Sequence, residues 1–282
     1  MIIIEMCGGL GNQMFQYALY TKLKMLGKEV KLDLTSFKSR HALRKFELDI
    51  FNVDYDIATG RDIRKYKKTG LLSRLSCTKN DENVYKENLD EGFQPVVFSF
   101  DDKYLQGYWQ CEKYFEDIKE ILLKKFTFPR YDEKKFNEIL LQVTKTESVS
   151  LHIRRGDYLW EQNAKVYGNI CTLNYYKNAI SYMRREINNA VFFLFTNDIE
   201  WVKDNIYEEG MTIVDCNTKE RDYLDMFLMS QCKHNIIANS SFSWWGAWLN
   251  TNADKKVIAP KRWFLNHEIA NQICDSFITV ES

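Results

Sequence analysis

"ESVSLHIRRGDY", Glu147 to Tyr158, is the stretch that decides the fold. Its first seven residues read as a strand that runs directly into two arginines and a glycine. Strand and helix then alternate to the end of the chain. "LNYYKNAISYMRREIN" is a helix, "AVFFLFT" a strand, "DIEWVKDNI" a helix and "MTIVD" a strand. "RDYLDMFLMSQC", "HNIIAN", "SFSWWGAWLN" and "KVIAP" continue as helix, strand, helix and strand. Such alternation builds a parallel sheet covered on both faces. Ligands of such sheets sit at the carboxyl ends of the strands, where Arg154 and Arg155 fall.

Upstream, Pro129 stops the preceding helix, and a domain boundary is expected there, dividing the chain into 1–130 and 131–282. The first half opens as a second strand–turn–helix–strand unit. "IIIEM" is a buried strand. Asn12 is placed to cap a helix whose stripe is Phe15, Leu19, Leu23 and Leu26. Gly27 ends that helix, and "KEVKLDL" is the next strand. From Phe37 to Phe100 the pattern is irregular and charged, which predicts short helices and loops, an insertion suited to holding an acceptor. "YLQGYWQ" is another strand and "CEKYFEDIKEILLKKF" a helix.

The chain has 282 residues and zero formal net charge, so no global field steers it toward nucleic acid. The lysine- and arginine-rich run Arg61 to Lys68 reads most simply as a solvated helix face. Seven scattered cysteines, an odd number with no C-x-x-C, fit reduced thiols in a cytosol better than a disulfide framework. Four histidines show no metal-ligand spacing. "MIIIEMC" is too short and too soon polar for a signal peptide, and no apolar run of about 20 residues occurs. The expectation is a cytoplasmic protein with no transmembrane segment, at most peripherally associated with the inner face of a membrane.

Two strand ends carry the chemistry. Arg154 and Arg155 present paired forks suited to phosphate, and Gly156 lets the chain turn. Arginines bound to acidic neighbours are the bland alternative. In "NSSFSWWGAWLN" (Asn239 to Asn250), Ser240, Ser241 and Ser243 stand at a helix N-terminus, an anion cradle of hydroxyls and backbone N–H groups. Ordinary capping explains one serine well and three less well. Trp244, Trp245 and Trp248 read as core before they read as a sugar platform. Asp225, on the preceding helix, is a solvated acid or, facing the same mouth, a partner for the paired N–H donors of guanine. In "GGLGNQMFQYA", Gly9-x-Gly11 followed by Asp33 mimics a dinucleotide fingerprint, but Met14 occupies the third glycine's place.

"GGLGNQMFQYA", "LQGYWQCEKYF", "HIRRGDY" and "NSSFSWWGAWL" together resemble the bacterial α-1,2-fucosyltransferases of glycosyltransferase family 11, over roughly Ile2 to Pro260. The arginine motif alone is shared with α-1,6- and protein O-fucosyltransferases. The resemblance implies an α/β fold of GT-B type, two Rossmann-like domains facing a central cleft, with GDP-β-L-fucose as donor and no metal or other cofactor. The N-terminal domain takes the acceptor side and the C-terminal domain binds GDP-fucose. It also implies that Arg154 holds the β-phosphate, with Arg155 beside it, and that His152 and Asp225 contact guanosine. Ser241, Phe242 and Ser243 line the phosphates, and Asn12, with Gly9 and Gly11, approaches the donor from the opposite wall. "FTND" (Phe195 to Asp198) departs from the pattern: two acids are expected there, and Asn197 puts one nucleotide contact in question.

The implied reaction is inverting transfer of L-fucose to the 2-hydroxyl of a galactose-terminated glycan. Negative charge growing on the β-phosphate is met by Arg154 and the helix end at Ser241. Asp157 either takes the hydroxyl proton or orients the arginines, and Glu161, expected in a mobile loop, is a second candidate base. Two other classes compete: a nicotinamide oxidoreductase on the Gly9/Gly11 loop, and a GDP-sugar or glycan-binding module without turnover.

Overall fold

The computed structural model describes residues 1–38, 42, 44–67, 82–267 and 271–281; the side chains of Asp157, Gln162 and Lys219 lie outside that description. The chain divides into two compact units, Met1–Thr127 and Phe128–Ser282, within the stretch just before Pro129. Each is an α/β assembly on an all-parallel sheet.

In the first unit, β1 (Ile2–Glu5) leads into α1 (Leu10–Met25) and β2 (Val30–Asp33). The short helix α2 (Gly60–Arg64), β3 (Val84–Lys86), β4 (Lys103–Gln106) and α3 (Lys119–Lys125) follow. The sheet runs β2-β1-β4-β3, all parallel. Apolar residues bury β1 completely from Ile2 to Ile4, as a central parallel strand requires. α1 ends in a Schellman closure: Gly27, at φ +78°, donates to Lys24 O, and Lys28 N donates to Leu23 O. Of the run Arg61 to Lys68, Arg61, Arg64 and Lys65 are exposed as a solvated face should be, Lys67 is ion-paired to Glu5 at 2.9 Å, and Lys68 lies outside the described residues. Of the irregular stretch expected to hold an acceptor, residues 39–41, 43 and 68–81 lie outside the described residues.

The second unit opens with α4 (Lys134–Lys145), β5 (Glu147–Ile153), α5 (Glu161–Tyr167), α6 (Leu173–Glu186) and β6 (Ala190–Thr196). It continues through α7 (Ile199–Asn205), β7 (Thr212–Ile213), α8 (Tyr223–Gln231), β8 (His234–Ile236), α9 (Ser241–Trp248), β9 (Val257–Pro260) and β10 (Ile278–Val280). Strand order is β10-β9-β8-β5-β6-β7, all parallel. Period-two alternation sorts the strands' side chains. Val149, Leu151, Ile153, Phe192 and Leu194 join the core under α6 and α7; Phe193 and Phe195 join that of α4 and α8. Ser148, Ser150 and His152 are buried on β5 between those apolar positions. Asn235 Nδ2 bonds Ser150 Oγ at 2.7 Å, and Asn250 Nδ2 bonds Asn235 Oδ1 at 2.8 Å, so that polar line is stitched across the sheet.

Three expectations are corrected. The helix expected from Cys111 is two 3-10 turns, Glu112–Tyr114 and Glu116–Ile118, before α3 begins. Phe115, with φ −149°, breaks it, because Tyr114 and Phe115 are turned fully into the core. The residues from Glu161 form α5 rather than a loop, and Glu161 is ion-paired to Lys165 at 3.4 Å on its exposed face. Asn12 does not cap α1: Gly9 occupies the cap in extended backbone, and Asn12 lies in the first turn. The three tryptophans are core, as the sequence suggests: Trp244 and Trp248 stack, Trp245 meets both edge-on, all three are buried, and Trp244 Nε1 donates to Gln272 O at 2.6 Å.

Candidate active site

The strand order of the second unit fixes where a ligand sits. From β5 the chain winds outward through β6 and β7, then returns to β8 on β5's other side and winds outward through β9 and β10. β5 and β8 therefore flank the topological switch point, where the two exiting loops part and leave a crevice. Arg154 and Arg155 leave β5 there. Asn239 and Ser240 leave β8. A cavity of about 160 Å³ opens at this place, lined by Arg154, Arg155, Tyr158, Tyr167, Thr172 and Asn239 among others.

The crevice is held by named bonds. Buried Asn239 donates from Nδ2 to Tyr167 O and Trp263 O, both at 3.1 Å. Tyr158 Oη donates to Asn239 O at 3.0 Å, its ring stacks on Tyr167, and the Arg154 guanidinium lies 5.4 Å from its centroid. Arg154 is thus kept on the crevice side of the turn. Arg155 is differently committed. Its Nε donates to Asp198 Oδ2 at 3.1 Å, its backbone N–H to Asn197 Oδ1 at 3.0 Å, and its guanidinium lies 4.0 Å from the centroid of Trp201. The expected donor contact at Arg155 therefore has a competing structural duty. Asn197, where the family pattern calls for an acid, binds the turn: a Cβ on Gly156 would fall 2.3 Å from its Nδ2.

His152 is buried at the end of β5, its ring centroid 6.0 Å from that of Phe242. Burial first, and the Arg154 charge second, push its pKa down to about 3, so it is a neutral imidazole at physiological pH. Its Nδ1 is buried without a hydrogen-bond partner among the described residues. Such an atom costs about 1–3 kcal/mol and asks for an explanation, which a ligand site supplies. α9 begins at Ser241, with four residues between it and the end of β8. Its cap, Ser240, makes no side-chain capping bond, and Ser243 Oγ turns back to Ser240 O at 3.4 Å. The N–H groups of Ser241, Phe242 and Ser243 are left at the positive end of the helix without a side-chain cap. Asp225 is half-buried on α8, accepts from Asn217 Nδ2 at 2.5 Å, and burial pushes its carboxyl up to about 7. Asp157 lies in the 3-10 turn Gly156–Leu159, and its side chain is outside the described residues.

The glycine loop of the first unit also sits at strand ends. Gly8 has φ +80°, and a Cβ there would fall 2.3 Å from Asn12 Nδ2, whereas a Cβ on Gly9 would meet nothing within 4 Å. Gly11 is buried inside α1. Two glutamines that sequence reasoning passed over hold the loop. Gln13 donates to Gly8 O and Lys45 O and accepts from Glu47 N. Gln16 accepts from Cys7 N and donates to Gly107 O. Both are fully buried. The dinucleotide reading fails on Asp33: its carboxylate is buried, accepting from Tyr104 Oη at 2.6 Å and Thr35 N at 2.8 Å, with no edge to offer a ribose.

No group of three or more His, Cys, Asp or Glu among the described residues is arranged to hold a metal ion. No described helix is long and apolar enough to cross a membrane.

A parallel sheet whose switch point carries an arginine, a neutral buried histidine and an uncapped helix end has the hydrogen-bond donors that a phosphorylated ligand needs. The chain belongs to glycosyl transferase family 11, which residues 1–273 match. It is 36% identical to an alpha-1,2-colitosyltransferase of Escherichia coli, over 95% of this chain and 94% of that one. It is 33% identical to the O-antigen biosynthesis glycosyltransferase WbnK of Escherichia coli, over 97% and 98%. It is 23% identical to galactoside alpha-(1,2)-fucosyltransferase 2 of Hylobates lar, over 91% of this chain and 71% of that one.

Proposed function

We propose that this glycosyltransferase moves L-fucose from GDP-β-L-fucose to the 2-hydroxyl of a terminal galactose, inverting the anomeric centre. The observation that carries the reading is the switch point, where Arg154 from β5 and the uncapped start of α9 from β8 come from the two strands that flank one crevice. A glycosyl diphosphate breaks its C1–O bond with negative charge growing on the β-phosphate. Arg154 and the N–H groups of Ser241 to Ser243 are donors already in place for that charge, and they do the work without a metal. Neutral His152 and Asp225 take the guanosine. The galactose hydroxyl attacks the face opposite GDP, and its proton leaves to Asp157 or to water.

Names of relatives support the linkage: two of them carry α-1,2. The colitosyl relative supports a second reading, in which the donor is GDP-colitose, the 3-deoxy counterpart of GDP-fucose. The two are separated by competition. With both donors present at equal concentration and lactose as acceptor, mass spectrometry of the products reads the preference directly. Predominant transfer of fucose upholds the first reading; predominant transfer of the dideoxy sugar replaces it with the second. A binding module without turnover predicts neither product.

A further inference from the structure

Three adjacent strands of the first unit send their exits to one place. β1 exits into Gly8 and Asn12, β4 into Gly107 to Gln110, and β3 into Glu87. These exits are cross-tied. Glu87 Oε2 accepts from the backbone N–H of Tyr108 at 2.7 Å and of Trp109 at 2.9 Å. Those two bonds hold a turn in which fully buried Trp109 takes the left-handed conformation, φ +57°, that non-glycine residues seldom adopt. A Cβ on Gly107 would strike the Glu87 side chain at 2.5 Å, so the turn and the carboxylate are fitted to each other. The turn delivers buried Gln110, whose Nε2 donates to Asn12 Oδ1 at 2.7 Å.

That last bond settles how the Asn12 amide points. Its oxygen is engaged by Gln110. Its nitrogen lies against Gly8, on the side where a Cβ would intrude, and donates to none of the described residues. We propose that Gln110 is a positioning residue for the transfer reaction. By taking the Asn12 oxygen, it leaves Asn12 Nδ2 as the outward-facing hydrogen-bond donor, with Glu87 anchoring the turn from which Gln110 reaches. The inference rests on the reading that Asn12 meets the donor sugar or its phosphate. It adds a reason for the bare backbone at Gly8, which gives the amide room to stand in this orientation.

The test is a double-mutant cycle on turnover of GDP-L-fucose with lactose, with GDP affinity and thermal unfolding measured for every variant. Gln110→Ala is expected to lower kcat about 5- to 10-fold, the scale of one neutral hydrogen bond, with GDP affinity unchanged. In the Asn12→Ala background the same change is expected to cost less than 2-fold, because the group it positions is gone. Gln110→Glu keeps the shape but offers only acceptors, so it draws Asn12 Nδ2 inward and lowers kcat more than Gln110→Ala does. Gln110→Met, similar in length and without a donor, replaces Gln110→Ala if the latter unfolds. An equal loss from Gln110→Ala with and without Asn12 overturns the proposal, and so does full turnover in Asn12→Ala. Absence of any fucose transfer by the wild-type protein alongside transfer from another GDP-sugar corrects the donor reading instead, and the cycle is then run on that donor.

Discussion

Arg155 and Asp198 are locked together, Nε to Oδ2 at 3.1 Å, while the adjacent Arg154 leans on Tyr158 at the crevice. Two arginines that look equivalent in sequence therefore have separable duties. Asp198 also accepts from Trp201 N at the start of α7, so the pair fastens that helix to the β5 turn. Arg155→Ala is expected to lower stability by about 1 kcal/mol, from a partly exposed ion pair and a cation–π contact, with a modest effect on turnover. Arg154→Ala is expected to cost about 2–4 kcal/mol of transition-state stabilisation at little cost in stability. Arg154→Lys should recover little of it, because the two-pronged fork is lost. Thermal unfolding and kcat on the same samples check the pattern; equal kinetic losses at both positions would contradict it.

Gly8 and Gly9 separate in the same manner. Gly8→Ala meets a left-handed backbone and the Asn12 amide together, so it should destabilise by about 1–3 kcal/mol. Gly9→Ala enters open space from extended backbone and should stay within about 1 kcal/mol of wild type. If the donor approaches over Gly9, turnover nevertheless falls. A fully active Gly9→Ala protein would show that the loop is only a turn.

Asp225 gives the site a pH dependence near neutrality. Its carboxyl titrates at about 7 in the fold, raised by burial, against an ordinary value near 4 when unfolded. The unfolded chain therefore holds fewer protons here between those values, and this group's contribution lowers stability as pH rises from about 4 to 7. In the proposed function guanine's N–H donors meet the carboxylate form, so binding would run the other way. GDP should bind more tightly at pH 8 than at pH 6, with proton release on binding near pH 6.5. Asp225→Asn should remove that component and weaken GDP far more than pyrophosphate. Isothermal titration in buffers of different ionisation enthalpy reads both. An Asp225→Asn protein that binds the two ligands with equal loss, or retains the proton release, would show that Asp225 does not read the base.

The second unit was legible because its period was strong. Apolar residues at Val149, Leu151 and Ile153, then Phe192 to Phe195, write the strands, and the alternation with helices writes a parallel sheet. The switch point was not legible, since strand order is set by packing across the sheet rather than by neighbours in sequence. Local rules also misread places where a distant contact wins. Asn12 has a good capping side chain, but Gln110, nearly a hundred positions away, claims its oxygen. Tyr114 and Phe115 suit a helix, yet the core draws both inward and breaks it. Gln13 and Gln16 carry no local signal at all. Their partners, Lys45, Glu47 and Gly107, lie on other loops, and only the folded chain brings them together. The reading of arginines bound to acidic neighbours holds for Arg155, but its partner could not be named from the sequence, because Asp198 arrives from the far end of β6.

The most direct measurement is the structure of the product. The protein is incubated with GDP-β-L-fucose and lactose, and the isolated trisaccharide is examined by NMR. The account predicts an anomeric proton with the small coupling of an α-fucoside and a through-bond correlation from fucose C1 to H2 of galactose, with one GDP released per trisaccharide. A β-linkage, attachment at any other galactose hydroxyl, or GDP bound without release would contradict it.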